Sequence, residues 1–356
     1  MRYATCIIDA SFDGRPLLYA IREQLGISRK SLRHTKYIPD AILVDGRPAR
    51  TDDIAHAGTL LSVAISDADI AATPSSIEPE QGALDVLYQD EDLLVVNKPA
   101  GIVVHPRVGH TSGTLANFAA GYLAERGLSC GCHPAHRLDQ GTSGAIVFAL
   151  NGYAQAQLQR QLHKTFHREY LAICDGWIKE AESEHDEQQP DALLHSLDNR
   201  SHELGQNKNV LALPHSDEKW CTIDAPIGRR RDKASTTFAV VGDAPCEEGS
   251  AKDAVTHFKV LSRFESDGWR LSLVGLRLET GRTHQIRVHM AHIGHPLVGD
   301  ALYGNEEGCA HGRPYINRPA LHSWRISFAH PLNGKAMQLE APLPQDLQNI
   351  LGAISF

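Results

Sequence analysis

The residues best suited to chemistry sit together in His136-Arg137-Leu138-Asp139-Gln140-Gly141-Thr142-Ser143-Gly144. One carboxylate, Asp139, stands two positions from a guanidinium, Arg137, and the apolar run 145–150 follows. That run has the length and composition of a buried strand. A carboxylate on a Gly-rich loop leading into a core strand is held by the strand and stays open to a ligand. Gly141 and Gly144 let a ligand approach the main chain. Such a carboxylate suits nucleophilic or acid–base work. The plainer alternative is a turn aspartate neutralised by its arginine neighbour.

Four further blocks follow the same logic of order. Glu91-Asp92-Leu93-Leu94-Val95-Val96-Asn97-Lys98-Pro99-Ala100-Gly101 with Val104-His105-Pro106 comes first, and Arg168-Glu169-Tyr170-Leu171-Ala172 comes after the Asp139 motif. Gly281-Arg282-Thr283-His284-Gln285-Ile286-Arg287-Val288-His289 follows, with Gly294-His295-Pro296, Gly299-Asp300 and Tyr303-Gly304. Pro319-Ala320-Leu321-His322 and His330-Pro331 close the series. Together these blocks resemble the RluA-type family of pseudouridine synthases, which modify large-subunit ribosomal RNA and transfer RNA. The resemblance spans roughly residues 83 to 343.

The resemblance implies isomerisation of uridine in RNA. The C–N glycosidic bond breaks, the base turns, and its C5 bonds to the same sugar carbon. No electrons and no group are imported, so neither cofactor nor metal is expected. Asp139 is the implied catalytic carboxylate. It would attack the anomeric carbon, stabilise its cationic character, or take a proton from the neighbouring sugar carbon. Arg287 is expected to pair with Asp139, keeping it ionised and oriented; the alternative is a helix-surface arginine. Tyr170 is expected to stack on the target uracil, its hydroxyl available to help move the C5 proton; the alternative is a core tyrosine on a strand. Arg137 is expected to fill the gap left by a nucleotide that swings out of its stack. Lys98, Arg282, Arg229, Arg230 and Arg231 are the expected phosphate contacts. The expected partner is RNA, ribosomal before transfer RNA, with the protein monomeric.

Two rival classes remain. Cys130-x-Cys132-His133 and the crowded His284, His289, His292 and His295 suggest a metal-dependent RNA-processing protein. Against it, Cys-x-Cys-His lacks the paired spacing of structural zinc sites, and the four histidines fall inside a synthase block. A catalytically inactive RNA-binding protein on the same fold is the other rival, weakened because Asp139, Tyr170 and Arg287 are all present.

A net charge of -8 over 356 residues argues at first against a nucleic-acid partner. Its distribution changes the reading. Residues 66–92 carry eight acids and no Lys or Arg, and residues 180–220 carry ten acids against three bases, so the rest of the chain is +7. The seven cysteines are odd in number and scattered, the pattern of reduced thiols in a cytoplasmic protein. No apolar run of about 18 residues exists, so no membrane span is expected, and the first residues lack a secretory pattern.

Around the motifs the periodicities predict an α+β fold: a mixed, largely antiparallel central sheet with flanking helices, plus a small N-terminal α/β module. The module covers residues 1–65 and resembles a small RNA-binding module named after a ribosomal small-subunit protein. In it, residues 16–25 read as a helix, Ser28 as a cap, 41–49 as a strand with an Asp-Gly turn, and 60–63 as a strand. Residues 66–82 read as an acidic linker. Residues 83–356 read as the catalytic domain, with a polar insertion at 179–219. Within that domain, strands are expected near 84–88, 93–97, 102–104, 145–150, 168–174, 235–241, 254–262, 269–280, 320–329 and 336–341. Helices are expected at 114–123, with Leu115, Phe118 and Tyr122 on its inner face, at 152–163, and at 283–293, with Ile286, Met290 and Ile293 inward.

Overall fold

The computed structural model describes residues 2–35, 37–65, 77–107, 109–128, 131–162, 164–179, 220–232, 237–266, 268–306, 312 and 315–352. The expected insertion lies outside the described residues except for Lys179, as does most of the acidic linker.

The N-terminal module is a four-stranded sheet of β1 (Arg2–Ile7), β2 (Ile42–Val44), β3 (Arg47–Pro48) and β4 (Leu60–Ile65), in the order β1-β4-β2-β3. Asp45 and Gly46 turn the chain between β2 and β3 with φ of 48° and 76°, which an Asn/Asp-Gly pair adopts readily. Helical turns Leu17–Tyr19 and Ala20–Gln24 bury Leu17 and Ile21. Ser28 caps helix Arg29–Thr35, its Oγ accepting from the Ser31 N–H at 3.1 Å. β1 is an element the sequence reading lacked; its burial alternates poorly. The module is docked on the larger domain. Arg2 pairs with Asp92 at 3.0 Å, Gln157 donates to the Leu25 carbonyl at 2.6 Å, and Arg160 to that of Glu23 at 2.7 Å.

The larger domain adds β5 (Asp85–Gln89), β6 (Leu93–Lys98), β7 (His133–Pro134), β8 (Ser143–Ala149), β9 (His167–Asp175), β10 (Cys221–Asp224), β11 (Ile227–Arg229), β12 (Phe238–Val240), β13 (Val255–Ser266), β14 (Trp269–Leu278), β15 (Leu321–Ala329) and β16 (Ala336–Glu340). The sheet runs β10-β13-β14-β9-β15-β8-β6-β5, with β16 on β15, β7 on β8, and β11-β12 as a separate hairpin. Among the described strands only β8 and β15 pair in parallel, so the expected mixed, largely antiparallel α+β sheet is present. Alternation splits the central strands between two cores. Ile146 and Phe148 of β8 join Leu94 and Val96 of β6 in one, and Ala145, Val147 and Ala149 join Leu93 and Val95 in the other. A strand covered on both faces reads as an unbroken apolar run, which is why 145–150 was so legible. Helices Leu115–Glu125 and Gln285–His292 close the first core, and Gly152–Gln161 the second.

Three expectations need correcting. Residues 102–104 form no strand; the Val103 and Val104 carbonyls instead accept from the Leu115 and Ala116 N–H groups, satisfying two free donors of a helix start. Helix Leu115–Glu125 buries Leu115, Ala116, Ala119 and Leu123, whereas Phe118 and Tyr122 sit half-buried at its margin. Small residues let this helix lie close to the sheet, and the aromatics are displaced to the edge. The linker reading fails from residue 77 onward: Ile77 is buried in the first core, and Glu80 bonds Asn117 and Gly113. Gly121 leaves room for the Glu80 main chain against the helix.

The β8–β15 joint carries a buried histidine. His322 accepts from the Ser143 hydroxyl at 2.9 Å through Nδ1 and donates to the Ala341 carbonyl at 3.2 Å through Nε2. Burial holds its pKa down to about 4, against 6.5 for a free histidine. Between those values the unfolded chain binds a proton that the folded chain refuses, so stability falls as the pH drops through that window. The expected loss is up to roughly 1.4 kcal/mol per pH unit for the site. Denaturant unfolding at stepped pH should show a shallower slope between pH 6.5 and 4 in His322→Asn than in wild type; equal slopes would mean that His322 does not titrate on unfolding.

Candidate active site

The Asp139 loop is shaped from below. Lys98, the last residue of β6, has no exposed surface. Its ammonium donates to the carbonyls of Pro99 at 2.8 Å, Gln140 at 3.1 Å and Thr142 at 2.7 Å. Burial, then the Arg318 guanidinium, bring its pKa down to about 7 while Asp139 opposes them. Arg318 takes the intervening carbonyl, Gly141, at 3.1 Å, and its fork closes on Asp346 at 2.7 and 2.8 Å. Gly101 and Gln140 exchange hydrogen bonds at the loop's outer edge. Three successive carbonyls thus point inward, and the half-buried Asp139 faces a cleft. Among the described residues no donor holds its carboxylate.

Tyr170 and Arg168 share one face of β9 and line the same cleft. Tyr170 is buried, and burial, reinforced by Asp139, raises its pKa above the usual tyrosine value. The phenol therefore stays protonated and offers a ring face and a donor. Arg168 was not among the expected site residues. Two positions before an expected stacking tyrosine, it was legible by strand alternation.

Arg287 lines the cleft, but its partner is not the one expected. Its Nε and Nη2 each donate at 2.7 Å to the two oxygens of Asp300. The expected ion pair with Asp139 is therefore replaced by a bidentate fork to a fully buried carboxylate. Asp300 also accepts from the Leu302 N–H at 3.0 Å. Burial opposes the Arg287 charge, but Asp300, with help from Asp139, outweighs it and raises the pKa. The Tyr303 ring lies under the guanidinium, 5.0 Å from Cζ to centroid. The Tyr303 hydroxyl donates to Nδ1 of His284 at 2.8 Å and accepts from the Phe238 N–H at 3.1 Å. His284 has φ of 58° at the start of helix Gln285–His292, a conformation costly for a non-glycine residue. Gln285 braces the turn, accepting from the Arg282 N–H at 2.9 Å and donating to Val255 and Thr256. Asp300, Tyr303 and His284 lay inside a recognised block, yet nothing in the sequence told that Asp300, thirteen residues on, would take Arg287.

The expected gap-filling Arg137 and the expected phosphate contacts divide. Arg137 is exposed and reaches Thr283 at 2.6 Å; the plainer reading of an Arg137–Asp139 pair fails. Arg137, Arg282 and Arg229 line one groove beside the cleft, together with Lys252. Arg230 stands apart, forked onto Asp232 at 2.9 and 2.6 Å, while Arg231 is exposed. Lys98 is corrected outright: a buried ammonium saturated by three carbonyls cannot reach a phosphate.

The crowded histidines are each engaged in hydrogen bonds. His289 bonds Thr256 and Ala225, His292 bonds Asp243, and His295 bonds the Asp175 carbonyl. Cys130 lies outside the described residues. Among those residues Asp90, Asp92 and His330 cluster, but the Asp90 oxygens already accept from Tyr88, His330 and two backbone N–H groups. No helix of the described residues is long and apolar enough to cross a membrane.

Comparison with known proteins agrees with this geometry. The profile of a family described as RNA pseudouridylate synthase matches residues 92–292. A Bacillus subtilis protein named uncharacterized RNA pseudouridine synthase YhcT is 39% identical over 277 residues, 78% of this chain and 74% of that protein. Ribosomal large subunit pseudouridine synthase D of Xanthomonas campestris is 34% identical over 326 residues, 88% of this chain and 80% of that protein. Among solved structures, human RNA pseudouridylate synthase domain containing 1 superposes with a TM-score of 0.51 at 26% identity, covering 77% of this chain and 96% of that one. With a carboxylate on a braced loop, a tyrosine beside it and these relatives over most of its length, the chain belongs to the RNA pseudouridine synthase family, of the RluA type, and is an enzyme of that class.

Proposed function

We propose that this enzyme isomerises uridines of ribosomal RNA, with Asp139 acting at the sugar of a nucleotide drawn out of its stack. The observation that carries the reading is the half-buried Asp139 carboxylate, free of donors among the described residues, on a loop clamped from below. Such a carboxylate is available to C1′ or to the neighbouring proton. Tyr170 supplies the stacking face. Arg287 acts through its field and through the braced turn that carries it. Arg229 and Arg282 track phosphates at the rim, where exposed cations gain from counterion release, and Arg137 beside them takes the place of the extruded nucleotide. The ribosomal target rests on relatives named for the large ribosomal subunit; transfer RNA is the other candidate. Mapping pseudouridine across all cellular RNA with and without this gene decides between them.

Asp139→Asn should lower the rate at saturating RNA by at least about a thousandfold, since the amide is neither nucleophile nor base, with RNA affinity kept. Release of label from C5 of the target uridine measures this; substantial release from the variant would refute the assignment.

Arg287→Lys leaves buried Asp300 with a point contact in place of a fork. Activity should drop about tenfold or more, a loss equivalent to one charge-assisted hydrogen bond. A wild-type rate would show that the fork does not set the site.

We further propose that the N-terminal module contacts RNA through Arg29 and Arg33, both exposed on its second helix. Replacing both by Ala should flatten the log–log dependence of affinity on salt by up to about two units. Titration at several salt concentrations reads the slope, and an unchanged slope assigns the module to another task.

A further inference from the structure

We infer that Arg168 is the group that receives the uracil ring as it leaves the sugar, its guanidinium donating to the detached base. This inference rests on the reading of the cleft as a uridine isomerase site. Arg168 is 6% exposed, yet its Nε and Nη2 meet no acceptor among the described residues. Burying charged donors without a partner costs several kcal/mol, and a group left in that state is completed by what binds. The other guanidiniums of the cleft are engaged: Arg287 on Asp300, Arg137 on Thr283, and Arg282 through Nε on the Asp253 carbonyl. His136, buried within the field of Arg168, also has no hydrogen-bond partner at either ring nitrogen among the described residues. Burial, then the Arg168 charge, hold it down to about 3, so it is neutral. The cation in that corner is Arg168. Gly281 makes the space for it; a Cβ there would stand 3.3 Å from Nη1.

The chemistry requires such a donor. When N1–C1′ breaks, its electron pair leaves with the base, and the charge spreads over N1 and the ring carbonyl oxygens. Two N–H groups of a planar guanidinium match a carbonyl and its neighbour. Arg168 keeps its protons throughout. Asp139 answers the deficit at C1′; the uracilate's electron pair then forms the C5–C1′ bond, which frees Asp139 and restores neutrality, and the C5 proton is lost while N1 gains one. Donors fixed in a dry site where charge develops are the strongest electrostatic aid to a reaction. A phosphate is the less fitting ligand, because Arg168 is buried whereas Arg137, Arg229 and Arg282 are exposed along the neighbouring groove.

The test compares RNA bearing uridine or 5-fluorouridine at the target site, in single turnover at saturating protein. Fluorine makes the base a weaker base and a better leaving group, and it blocks C5 deprotonation. Consumption of 5-fluorouridine therefore reads the glycosidic step. Arg168→Gln should slow uridine isomerisation by about a hundredfold to a thousandfold, the loss found on removing one fixed donor, with RNA affinity unchanged. The deficit should shrink about tenfold or more on 5-fluorouridine, because a better leaving group needs less help. Arg168→Lys, which keeps the charge, should fall between and serves as the comparison if the Gln variant fails to fold. Equal deficits on both substrates, or a defect that vanishes at saturation as a phosphate contact would, overturn the inference. A wild-type chain inactive on every RNA sinks the synthase reading with it. Activity lost in Asp139→Asn but kept in Arg168→Gln sinks the Arg168 role alone.

Discussion

A lysine ammonium with no exposed surface, enclosed by three carbonyls, fixes the rest of the site. Lys98 closes β6, where it stands opposite Gly144 in the ladder with β8. Gly144 has φ of 113°, and a side chain there would collide with the Ser323 main chain of β15. The three strands can therefore converge only with a glycine at this point, and their convergence leaves the 140–142 carbonyls facing inward. Such carbonyls are costly to bury alone. Two cations approach from opposite sides, Lys98 to Gln140 and Thr142, and Arg318 to Gly141. Once those carbonyls are committed, the loop has few shapes left, and Asp139 is turned to the cleft. The sheet sets the loop, and the loop sets the carboxylate.

The second wall uses the opposite tactic. There the buried charge is matched within the protein: Arg287 and Asp300 form a fork with almost no exposure. Removing one member would strand the other, so the pair specifies geometry more than it adds stability. The Asp300 turn carries Tyr303, whose hydroxyl bridges Phe238 and His284. The left-handed backbone at His284 is held by that bridge and by Gln285 rather than by local preference. A strained residue braced from two sides at the mouth of a cleft is what a preorganised site requires.

Much of this was legible in the sequence, for identifiable reasons. Strands β6, β8, β9 and β14 are covered on both faces, so they read as apolar runs of strand length. The helix starting at 115 was legible from its apolar spacing, and the structure adds its cap, Thr114, whose hydroxyl accepts from the Asn117 N–H. Asp139, Tyr170 and Arg287 do line one cleft, although they lie on a loop, a strand and a helix far apart in the chain. Pairings were not legible. Nothing local distinguishes Lys98 as a buried clamp from Lys98 as a phosphate contact, because its burial depends on β15 arriving from more than 200 residues away. The Arg287 partner was mistaken for a similar reason: two carboxylates were within topological reach, and only tertiary packing chose Asp300. Residues 77–82 looked like linker because their anchors are one buried isoleucine, main-chain bonds of Glu78 and Glu80 and the Glu80 carboxylate on Gly113, which leave no periodicity.

The unmatched groups then acquire a meaning that stability alone would not give them. A uridine in structured RNA reaches Asp139 only by leaving its stack, at a cost of a few kcal/mol. Exposed arginines such as Arg229 and Arg282 can meet the phosphates of a stacked nucleotide as well as those of an extruded one. Arg168 differs. It is buried on the same strand as Tyr170, with two donors that meet no acceptor among the described residues. Its own desolvation has already been met in folding, so the incoming carbonyl finds a fixed donor in a dry site rather than a hydrated one. If Arg168 receives the departing base, its donors act on the anion formed at the glycosidic step rather than on affinity, and a core in which Arg168 were neatly paired would forfeit that.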